Sequence, residues 1–539
     1  MEFESSIQKL TVPDHNKILD IYFQQMDRKQ IISHQIESFN HFILHDVPEI
    51  LQATNPIIIR GSPEIPLSGP RSALASATGL STSAANALMG QTQEDAAAAA
   101  AAITQSRASV HYEYEVQVEF QKPQLRKPTI FENNGAVLPM LPNDARLRNL
   151  TYASPLTVDV AVTTTRIDNS DNGRRATHTR VFPNVHLGKI PVMVGSTLCL
   201  LKDQKHVYPM DLGECPEDVG GYFIVGGGER AIISQERMSE NRPVVFRNNR
   251  NPTKEWEVIE VKSIGPMNEQ VPKSISVRMM YHPKNQQIIY LRATIPRMKT
   301  EIPLFILFRA LGVLEDETIV RLILGDDWDP TFENVIVESI NEASTVLTQE
   351  DALAWMKRHL NIWTGKPTRN VTVEDLLRDE LYPHIGGTED AYEKACFLAH
   401  MTRRLLWVAY KRISGDDRDS YPNKRVDSPG FLLANLFRTF FQVKMLKDMK
   451  ASIAKEIHSG SWRATGSFQE ILNMSNLYKV IKSTIVEVGL KSALSTGNFG
   501  SAKVGGPPKI GVSQVLGRLN FISSISHLRR ISTPIEKTA

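Results

Sequence analysis

Residues 111–120 read HYEYEVQVEF, a strict alternation of apolar and polar side chains. From Tyr112 to Phe120 every second residue is apolar, and the residues between them are Glu or Gln. Because successive side chains of a β-strand point to opposite faces, this spacing predicts a strand with one face on a core and one in water. A chain that contains it must build a sheet that is covered on one side.

Other segments add strands and helices in no regular β-α-β order. The alternation recurs at 156–162 (LTVDVAV), and apolar runs at 275–281 and 288–291 flank a polar turn and predict a hairpin. Strands and helices therefore mix without the regular alternation of a β-α-β fold.

Helical spacing is equally clear after DSPG at 427–430. The residues that follow, FLLANLFRTFFQVKML, predict a helix with Ser428 as its N-cap, Pro429 in its first turn and one apolar stripe. Segments 303–324, 389–412 and 467–494 also favour helix. The sequence therefore predicts an α+β fold in several domains.

Composition excludes several classes of protein. Residues 68–109 consist mainly of Ser, Ala, Thr and Gly, which predicts a disordered or marginally helical insertion. The chain has no apolar run long enough for a transmembrane helix, and its acidic, polar N-terminus is not typical of a signal peptide. Its three cysteines are far apart, which disfavours a zinc ribbon or a disulfide framework and fits a reducing compartment.

The glycine-rich stretch YFIVGGGERA at 222–231 follows an apolar strand. A dinucleotide-binding turn would require a helix next, so that phosphates meet a helix N-terminus. The residues that follow, AIISQER, have β character instead. This pattern favours a glycine hairpin turn over a nucleotide site.

Two acidic clusters raise the possibility of a metal site. They are DDWD at 326–329 and DDRD at 416–419. Closely spaced aspartates do bind Mg²⁺ in phosphoryl-transfer enzymes. However, Gly325, Pro330, Gly415 and Pro422 flank the clusters, and Arg418 and Arg425 supply local positive charge to the second, so we predict structural loops.

The C-terminal stretch has the strongest charge bias. Residues 496–539 contain six lysines and arginines against one glutamate, in a chain whose net charge is only +3. Within GVSQVLGRLNFISSISHLRR (511–530), apolar residues recur every three or four positions from Val512 to Leu528, which predicts one buried face of a helix or helix-turn structure. The opposite side would present polar and basic residues suited to phosphates. A solvated basic tail is the alternative interpretation.

Several long stretches resemble, in collinear order, a known family. They include LPNDARLRNLTYASPLTVDV (141–160), GECPEDVGGYFIVGGGERAIISQER (213–237), KRVDSPGFLLANLFRTFF (424–441), ALSTGNFG (493–500) and GVSQVLGRLNFISSISHLRRISTP (511–534). The chain resembles the second-largest subunit of multisubunit DNA-dependent RNA polymerase over nearly its whole length except 68–109. The likeness is to eukaryotic RNA polymerase II and the related enzymes of large DNA viruses rather than to the bacterial β subunit.

This resemblance implies a division into modules. A protrusion is expected at about 20–240 and again at about 416–475, with a lobe inserted at about 241–415 and an incomplete fork at 476–539. The fork of the family lies beside the active-centre cleft, and the residues whose positions imply contact with nucleic acid are Lys503, Lys509, Gln514, Arg518, His527, Arg529 and Arg530.

The same resemblance sets limits on the chemistry. Family members are longer, so the parts that contact the incoming nucleotide and the zinc-bearing C-terminal module are not expected here. No catalytic residue and no bound cofactor are expected either, because the catalytic Mg²⁺ belongs to the largest subunit, whose NADFDGD motif does not occur in this sequence. The GGGER turn departs from the family's usual Asn-Gly-Ser-Glu-Lys type of sequence, which leaves any contact by Arg230 open.

We therefore expect part of a DNA-directed RNA polymerase core that lines the cleft and contacts DNA and the RNA–DNA hybrid. The expected partners are the largest subunit, the other core subunits and the C-terminal half of the second subunit, with no membrane. The location is the nucleus if the source is cellular, and the host cytoplasm or the virion if it is viral. The alternative is a truncated, non-catalytic fragment that only binds nucleic acid or polymerase.

Overall fold

The chain divides into two compact units. A computed structural model describes residues 12–25, 28–61, 112–168, 174–203, 208–247, 255–265, 272–282, 285, 287–325, 329–360, 372–386, 390–459, 462, 467–501 and 504–533. The first unit comprises 1–235 and 427–532, and the second comprises 236–426 and 533–539. The low-complexity stretch 68–109 lies outside the described residues.

The first unit contains a four-stranded antiparallel sheet. In order across the sheet, its strands are Ile57–Gly61, Tyr112–Leu125, Ala153–Asp168 and Arg174–Pro191. The alternation predicted for 112–120 is confirmed, because Val116, Val118 and Phe120 are buried and Glu113 is exposed. The buried face of these strands lies in the main hydrophobic core of the unit.

Helices from both ends of the chain complete this core. The helices of the first unit are Val12–Gln25, Ser33–His41, Val47–Gln52, Pro142–Leu147, Leu200–Asp203, Pro429–Arg438, Leu446–Ser459, Met474–Val480, Ser483–Thr496 and Phe521–Leu528. Shorter 3₁₀ turns at Arg28–Ile32, Pro209–Leu212 and Phe468–Glu470 and π-helical turns at Phe42–Asp46 and Thr439–Met445 connect them. The helix predicted after DSPG starts at Pro429, but the Ser428 hydroxyl accepts a hydrogen bond from Ser38 Oγ (2.6 Å) and does not cap the helix backbone.

The predicted glycine hairpin is confirmed. Strands Phe223–Val225 and Gly228–Ile232 pair antiparallel, and Gly226 and Gly227 form the two-residue turn between them. Both glycines have positive φ (58° and 80°), the backbone of a tight hairpin turn that favours glycine. A Cβ on Gly227 would lie 2.6 Å from Asn149 Oδ1, so glycine is also required for space. We call residues 223–232 the glycine hairpin.

The remaining strands of this region are short. Thr129–Phe131 pairs with Val137–Pro139, and Phe499–Ser501 pairs with Val504–Lys509. Ser513–Val515 adds a third strand to the glycine hairpin, and Ile531–Ser532 runs parallel to the start of strand Ser234–Met238.

The second unit packs helices on a five-stranded antiparallel sheet. Its strands are Val244–Phe246, Glu255–Ser263, Lys273–Tyr281, Ile289–Thr294 and Ile302–Pro303, and strand Lys424–Asp427 ends the segment. Its helices are Leu304–Ala310, Asp316–Leu324, Glu333–Ala343, Gln349–Arg358, Val373–Asp379 and Ala391–Ala409, with 3₁₀ turns at Pro330–Phe332 and Tyr421–Asn423. The hairpin predicted at 275–291 is confirmed. The mixture of antiparallel sheets and helices confirms the α+β, multi-domain prediction.

The acidic clusters are structural loops where they are described. Asp329 caps the Pro330–Phe332 turn through Thr331 N (2.9 Å) and pairs with Arg412. Asp416 accepts hydrogen bonds from Val245 N (2.9 Å) and Arg404 Nη2 (2.6 Å). Asp326 and Asp327 lie outside the described residues.

The two arginines expected to supply positive charge beside the second cluster make other contacts. Arg418 stacks on the Phe246 ring at 4.1 Å, and Arg425 donates to the backbone carbonyls of Pro422 and Lys424. Arg404 and Lys424 pair with the cluster instead.

Two buried cations of the second unit bind helix C-termini. Arg309 is fully buried, donates through Nη1 to the carbonyls of Ala343 (2.8 Å) and Val346, and pairs with Asp316 (2.6 Å). Lys394 Nζ donates to the carbonyls of Leu377 (2.9 Å) and Arg378 (3.0 Å). Lys394 thus satisfies carbonyls that the end of a helix leaves without partners, whereas Arg309 binds the turn just after a helix, where the Ala343 carbonyl also accepts from Val346 N (3.0 Å).

Candidate nucleic-acid interface

The stretch 511–533, here called the terminal segment, is not a continuous helical stripe. It forms a strand at Ser513–Val515, a loop, the helix Phe521–Leu528 and a two-residue strand at Ile531–Ser532. The Asn520 side chain caps the helix by accepting from Ser523 N (2.7 Å). The helical period therefore begins only at 521, and the strand and loop before it have a different side-chain geometry.

The predicted apolar face of this segment is half wrong. Val512, Leu516 and Leu528 are buried. Val515, Leu519 and Ile522, which the spacing placed on the same face, are 64%, 92% and 76% exposed. One set of apolar side chains anchors the segment in the first unit, and a second set faces away from it.

A buried glutamine from the start of the chain fixes the end of the helix. Gln35 Nε2 donates to the carbonyl of Leu528 (2.7 Å) and to that of Ile232 in the glycine hairpin (3.3 Å). The two bonds connect the terminal segment and the hairpin through one side chain. Gln35 was missed in the sequence, because its partners are 493 and 197 positions away.

Arg518 is bound by carboxylates of the same unit. Its Nε lies 2.7 Å from Glu229 Oε2, and its Nη2 lies 3.0 Å from Glu229 Oε1 and 3.2 Å from Asp218 Oδ2. Its guanidinium carbon lies 4.8 Å from the centroid of the Tyr222 ring. This bidentate pairing with stacking is the geometry in which arginine binds most specifically.

A second arginine, Arg146, completes this arrangement and was not predicted. Its Nε lies 2.9 Å from Glu229 Oε1, its Nη1 lies 2.8 Å from Glu214 Oε1, and its Nη2 donates to Tyr222 Oη (2.6 Å). Tyr222 Oη donates in turn to Asp218 Oδ2 (2.6 Å). We call Arg146, Glu214, Asp218, Tyr222, Glu229 and Arg518 the arginine–carboxylate cluster. It contains three carboxylates and two guanidinium groups.

The pKa values of the cluster follow from this charge balance. Burial alone would raise the pKa of Glu229, but the hydrogen bonds and charges of Arg518 and Arg146 outweigh it, and the pKa lies below its ordinary value. At Glu214 burial outweighs Arg146, and the pKa is raised. Burial and Asp218 raise the pKa of Tyr222, so its hydroxyl stays protonated and donates. The charge of Arg518 is therefore matched within the fold.

His527 and Gln514 brace the terminal segment internally. The buried His527 accepts from Gly517 N at Nδ1 (3.1 Å), so its proton lies on Nε2, which donates to Gln514 Oε1 (3.0 Å). Burial, together with the charge of Arg530, lowers the pKa of His527. The neutral imidazole thus joins strand, loop and helix.

The remaining residues that were expected to contact nucleic acid differ in whether their side chains are already bound within the fold. Arg529 Nη1 donates to the carbonyl of Ile31, and Lys509 Nζ lies 3.3 Å from the buried carboxylate of Asp427. Arg530 is exposed and has no side-chain hydrogen bond or ion pair within the described part of the chain. Lys503 lies outside the described residues.

The described residues show no metal centre of three or more ligands and no membrane span. Among them, no three or more His, Cys, Asp or Glu side chains are grouped so that they could hold a metal ion. No described helix combines the length and the apolar character that crossing a bilayer requires. Cys199, Cys215 and Cys396 are free thiols.

Known proteins match this chain closely. The model of the family described as RNA polymerase beta subunit matches residues 83–486. The DNA-directed RNA polymerase II subunit RPB2 of Encephalitozoon cuniculi is 34% identical over 523 residues, 96% of this chain and 40% of that protein. For the DNA-directed RNA polymerase II subunit 2 of Arabidopsis thaliana the values are 34% over 533 residues, 98% and 40%.

An archaeal relative is shorter. The DNA-directed RNA polymerase subunit Rpo2N of Methanocaldococcus jannaschii is 32% identical over 425 residues, which are 78% of both chains. This chain thus spans about two fifths of the length of the eukaryotic relatives and matches most of the archaeal one.

Proposed function

This chain belongs to the RNA polymerase beta subunit family, and on that premise we propose that it is the N-terminal part of the second-largest subunit of a DNA-directed RNA polymerase. It would contribute to template-directed RNA synthesis as a structural part of the core enzyme. The observation that carries the proposal is the match of 96–98% of this chain to eukaryotic polymerase II subunits. Chance similarity does not extend collinearly over such a length.

We assign the modules from the resemblance. The first unit would hold the protrusion and the fork, and the second unit would be the lobe. The division of the chain supports this assignment, because the second unit runs from 236 to 426 between two parts of the first. A lobe inserted into a protrusion requires the same order.

In this role the chain would line the cleft and contact DNA and the RNA–DNA hybrid. Arg530 is the best candidate for a phosphate contact, because it is exposed and has no side-chain partner among the described residues, and Lys509 is the next, because its side chain is half exposed. Arg518, His527, Gln514 and Arg529 would act mainly by holding the terminal segment in place. Contacts of this kind are independent of sequence and weaken with salt.

Catalytic metal and partners would come from elsewhere in the enzyme. We propose that the Mg²⁺ is held by the largest subunit and that this chain assembles with that subunit, the other core subunits and the remaining part of the second subunit. A cellular version would act in the nucleus, and a viral version in the host cytoplasm or the virion.

Co-expression tests the proposal against its alternative. We expect the chain to co-purify with a largest subunit and with a polypeptide that supplies the rest of the second subunit, and the complex to extend RNA on a primed hybrid. Nucleic-acid binding by the chain without any such association would favour the non-catalytic fragment. Association without RNA synthesis would limit the chain to a polymerase-interacting role.

A further inference from the structure

Two histidines lie side by side on the surface of the first unit, outside the candidate nucleic-acid interface. His41 ends the helix Ser33–His41, and His45 lies in the π-helical turn Phe42–Asp46 that continues it. Their ring centroids are 4.9 Å apart, and the ring planes are inclined by 39°. Both side chains are exposed. Since residues four apart on a helix share one face, the two imidazoles are neighbours that open to solvent.

The backbone beneath the two rings is held by the core. Phe42 and Ile43, which lie between the histidines, are buried in the main hydrophobic core. The Phe42 ring packs against those of Phe39 and Phe437, at 6.0 and 6.4 Å between centroids. Turns of π-helix are rare and occur frequently at functional sites. A backbone anchored in this way loses little conformational freedom when both rings bind one ion, which favours binding.

A carboxylate orients one of the imidazoles. Asp46 Oδ1 lies 3.3 Å from His41 Nδ1, and the Asp46 side chain is only 22% exposed, whereas that of His41 is 65% exposed. An acceptor beside Nδ1 favours the tautomer that carries its proton there, which leaves the lone pair of Nε2 free. Histidines that bind metals usually donate their other ring N–H to a carboxylate or a carbonyl in this way. His41 is therefore arranged as a metal ligand.

The donor atoms select the class of ion. Imidazole nitrogen suits Zn²⁺, Cu²⁺ and Ni²⁺, whereas Mg²⁺ and Ca²⁺ prefer oxygen ligands. Two imidazoles would hold an ion from one side, and water would fill its remaining positions. A site of two ligands is compatible with the finding that the described residues contain no group of three or more potential ligands. Asp46 would act through His41 and not as a ligand.

We propose that His41 and His45 form a binding site for a divalent transition-metal ion, with Asp46 as the group that orients His41. The ion would bind through Nε2 of His41 and one ring nitrogen of His45. It would join the end of a helix to the π-helical turn, and it would stabilise the first unit because it binds only the folded arrangement of the two rings. The site goes beyond the proposed function, since it would bind its ion whether or not the chain assembles into a polymerase.

The test uses the full chain without a polyhistidine tag and the metal ions alone. Zn²⁺, Cu²⁺ and Mg²⁺ are titrated separately by calorimetry. The variants are His41→Gln, His45→Gln and Asp46→Ala, and the matched control is His15→Gln, which alters an exposed helical histidine outside the pair. The Asp46 side chain makes no capping hydrogen bond to the helix Val47–Gln52, so its removal costs no helix cap. Thermal unfolding without metal checks that every variant folds.

We expect the unchanged chain to bind Zn²⁺, to bind Cu²⁺ more tightly and not to bind Mg²⁺ at this site. Asp46→Ala should weaken binding about tenfold. His41→Gln and His45→Gln should weaken it further, since each removes a ligand, and His15→Gln should leave it unchanged. Saturating Zn²⁺ should raise the melting temperature of the unchanged chain, and either histidine variant should lose this shift. The electron paramagnetic resonance spectrum of the Cu²⁺ complex should show coupling to two imidazole nitrogens.

Three results would overturn the proposal. Binding that survives His41→Gln or His45→Gln at full strength would mean an adventitious ion only, held elsewhere on the chain. Coupling to a single nitrogen in the Cu²⁺ spectrum would reject the paired site. An unchanged affinity in Asp46→Ala would reject the carboxylate as the group that orients His41. The proposed role in RNA polymerase is tested separately by association with the other subunits, so its failure and the failure of this site are distinguishable.

Discussion

Replacing Arg518 by methionine separates a structural role from direct contact with nucleic acid. Methionine keeps most of the side-chain length but removes the guanidinium that binds Glu229 and Asp218 and stacks on Tyr222. Charge-assisted hydrogen bonds contribute about 1.5–3 kcal/mol when buried, and exposed ion pairs about 0–1 kcal/mol. Because Arg518 is 41% exposed and Glu229 18%, we expect about 1–2 kcal/mol from the pair and about 0.5–1 kcal/mol from the stacking.

The loss should depend on pH in a defined direction. In the unchanged chain the pKa of Glu229 lies below its ordinary value, so its stabilising effect is present above the unfolded pKa of 4.5 and is lost as the pH falls through the folded pKa. Without Arg518, only Arg146 opposes the effect of burial, and the pKa of Glu229 rises. The variant then gains stability, relative to the unchanged chain, as the pH falls. The difference in unfolding free energy should be largest near pH 7 and smaller near pH 4.

Urea denaturation at several pH values measures this difference. Arg530→Met serves as the matched control, because Arg530 is an exposed arginine of the same segment without a partner among the described side chains. Its unfolding free energy should stay within about 0.5 kcal/mol of the unchanged chain. Equal effects of the two substitutions at pH 7, or a difference for Arg518→Met that does not shrink towards pH 4, would refute the assigned role of the arginine–carboxylate cluster.

Four further outcomes follow from the contacts. Arg309→Met should destabilise the second unit by about 3–5 kcal/mol, because it removes the Arg309 donor from the buried carbonyl of Val346 and the ion-pair partner of Asp316. The exposed i,i+4 pair of Arg321 makes Arg321→Met a control within about 0.5 kcal/mol in the same urea titration. Burial lowers the pKa of Lys394 to about 8 from 10.5 in the unfolded chain, so the burial of its charged ammonium destabilises the fold below pH 8. The free energy of unfolding should therefore rise between pH 8 and 10.5, and Lys394→Met should flatten that rise in denaturation curves. Since the folded pKa of His527 is lowered, its protonation opposes folding, and His527→Gln should reduce the loss of thermal stability on acidification below about pH 6.5. Arg530→Ala should lower the slope of log affinity for an RNA–DNA hybrid against log salt by about 0.7–0.9, as expected for one lost phosphate contact, with unchanged melting temperature.

Local periodicity predicted the elements that depend on local geometry. The strand at 112–125, the hairpin ending at 294, the helix from Pro429 and the glycine hairpin all follow from side-chain spacing or from residues that permit positive φ. Such features recur wherever the same pattern occurs, because the backbone alone sets them. The sequence identified them without knowledge of the tertiary fold.

The terminal segment shows where this reasoning fails. Apolar residues spaced by three or four satisfied a helical template, yet Val515 belongs to a strand and Leu519 to a loop, and neither is buried. A strand followed by a loop and a helix can reproduce helical spacing by coincidence over so short a stretch. Only pairing with Arg230 and Ala231, nearly 300 positions earlier, determines that this stretch is a strand.

Long-range pairing also reduces the positive charge that the C-terminal region can offer to a ligand. Along the sequence, residues 496–539 have a surplus of five positive charges. In the fold, Arg518 faces Glu229 and Asp218, and Lys509 faces Asp427, carboxylates that lie 82 to 300 positions away. Among the described side chains of this region, that of Arg530 is exposed and makes no hydrogen bond or ion pair, so the positive charge open to a ligand is local rather than spread along the segment. If the chain acts in a polymerase as proposed, this segment would meet nucleic acid at that arginine rather than along its whole basic stretch.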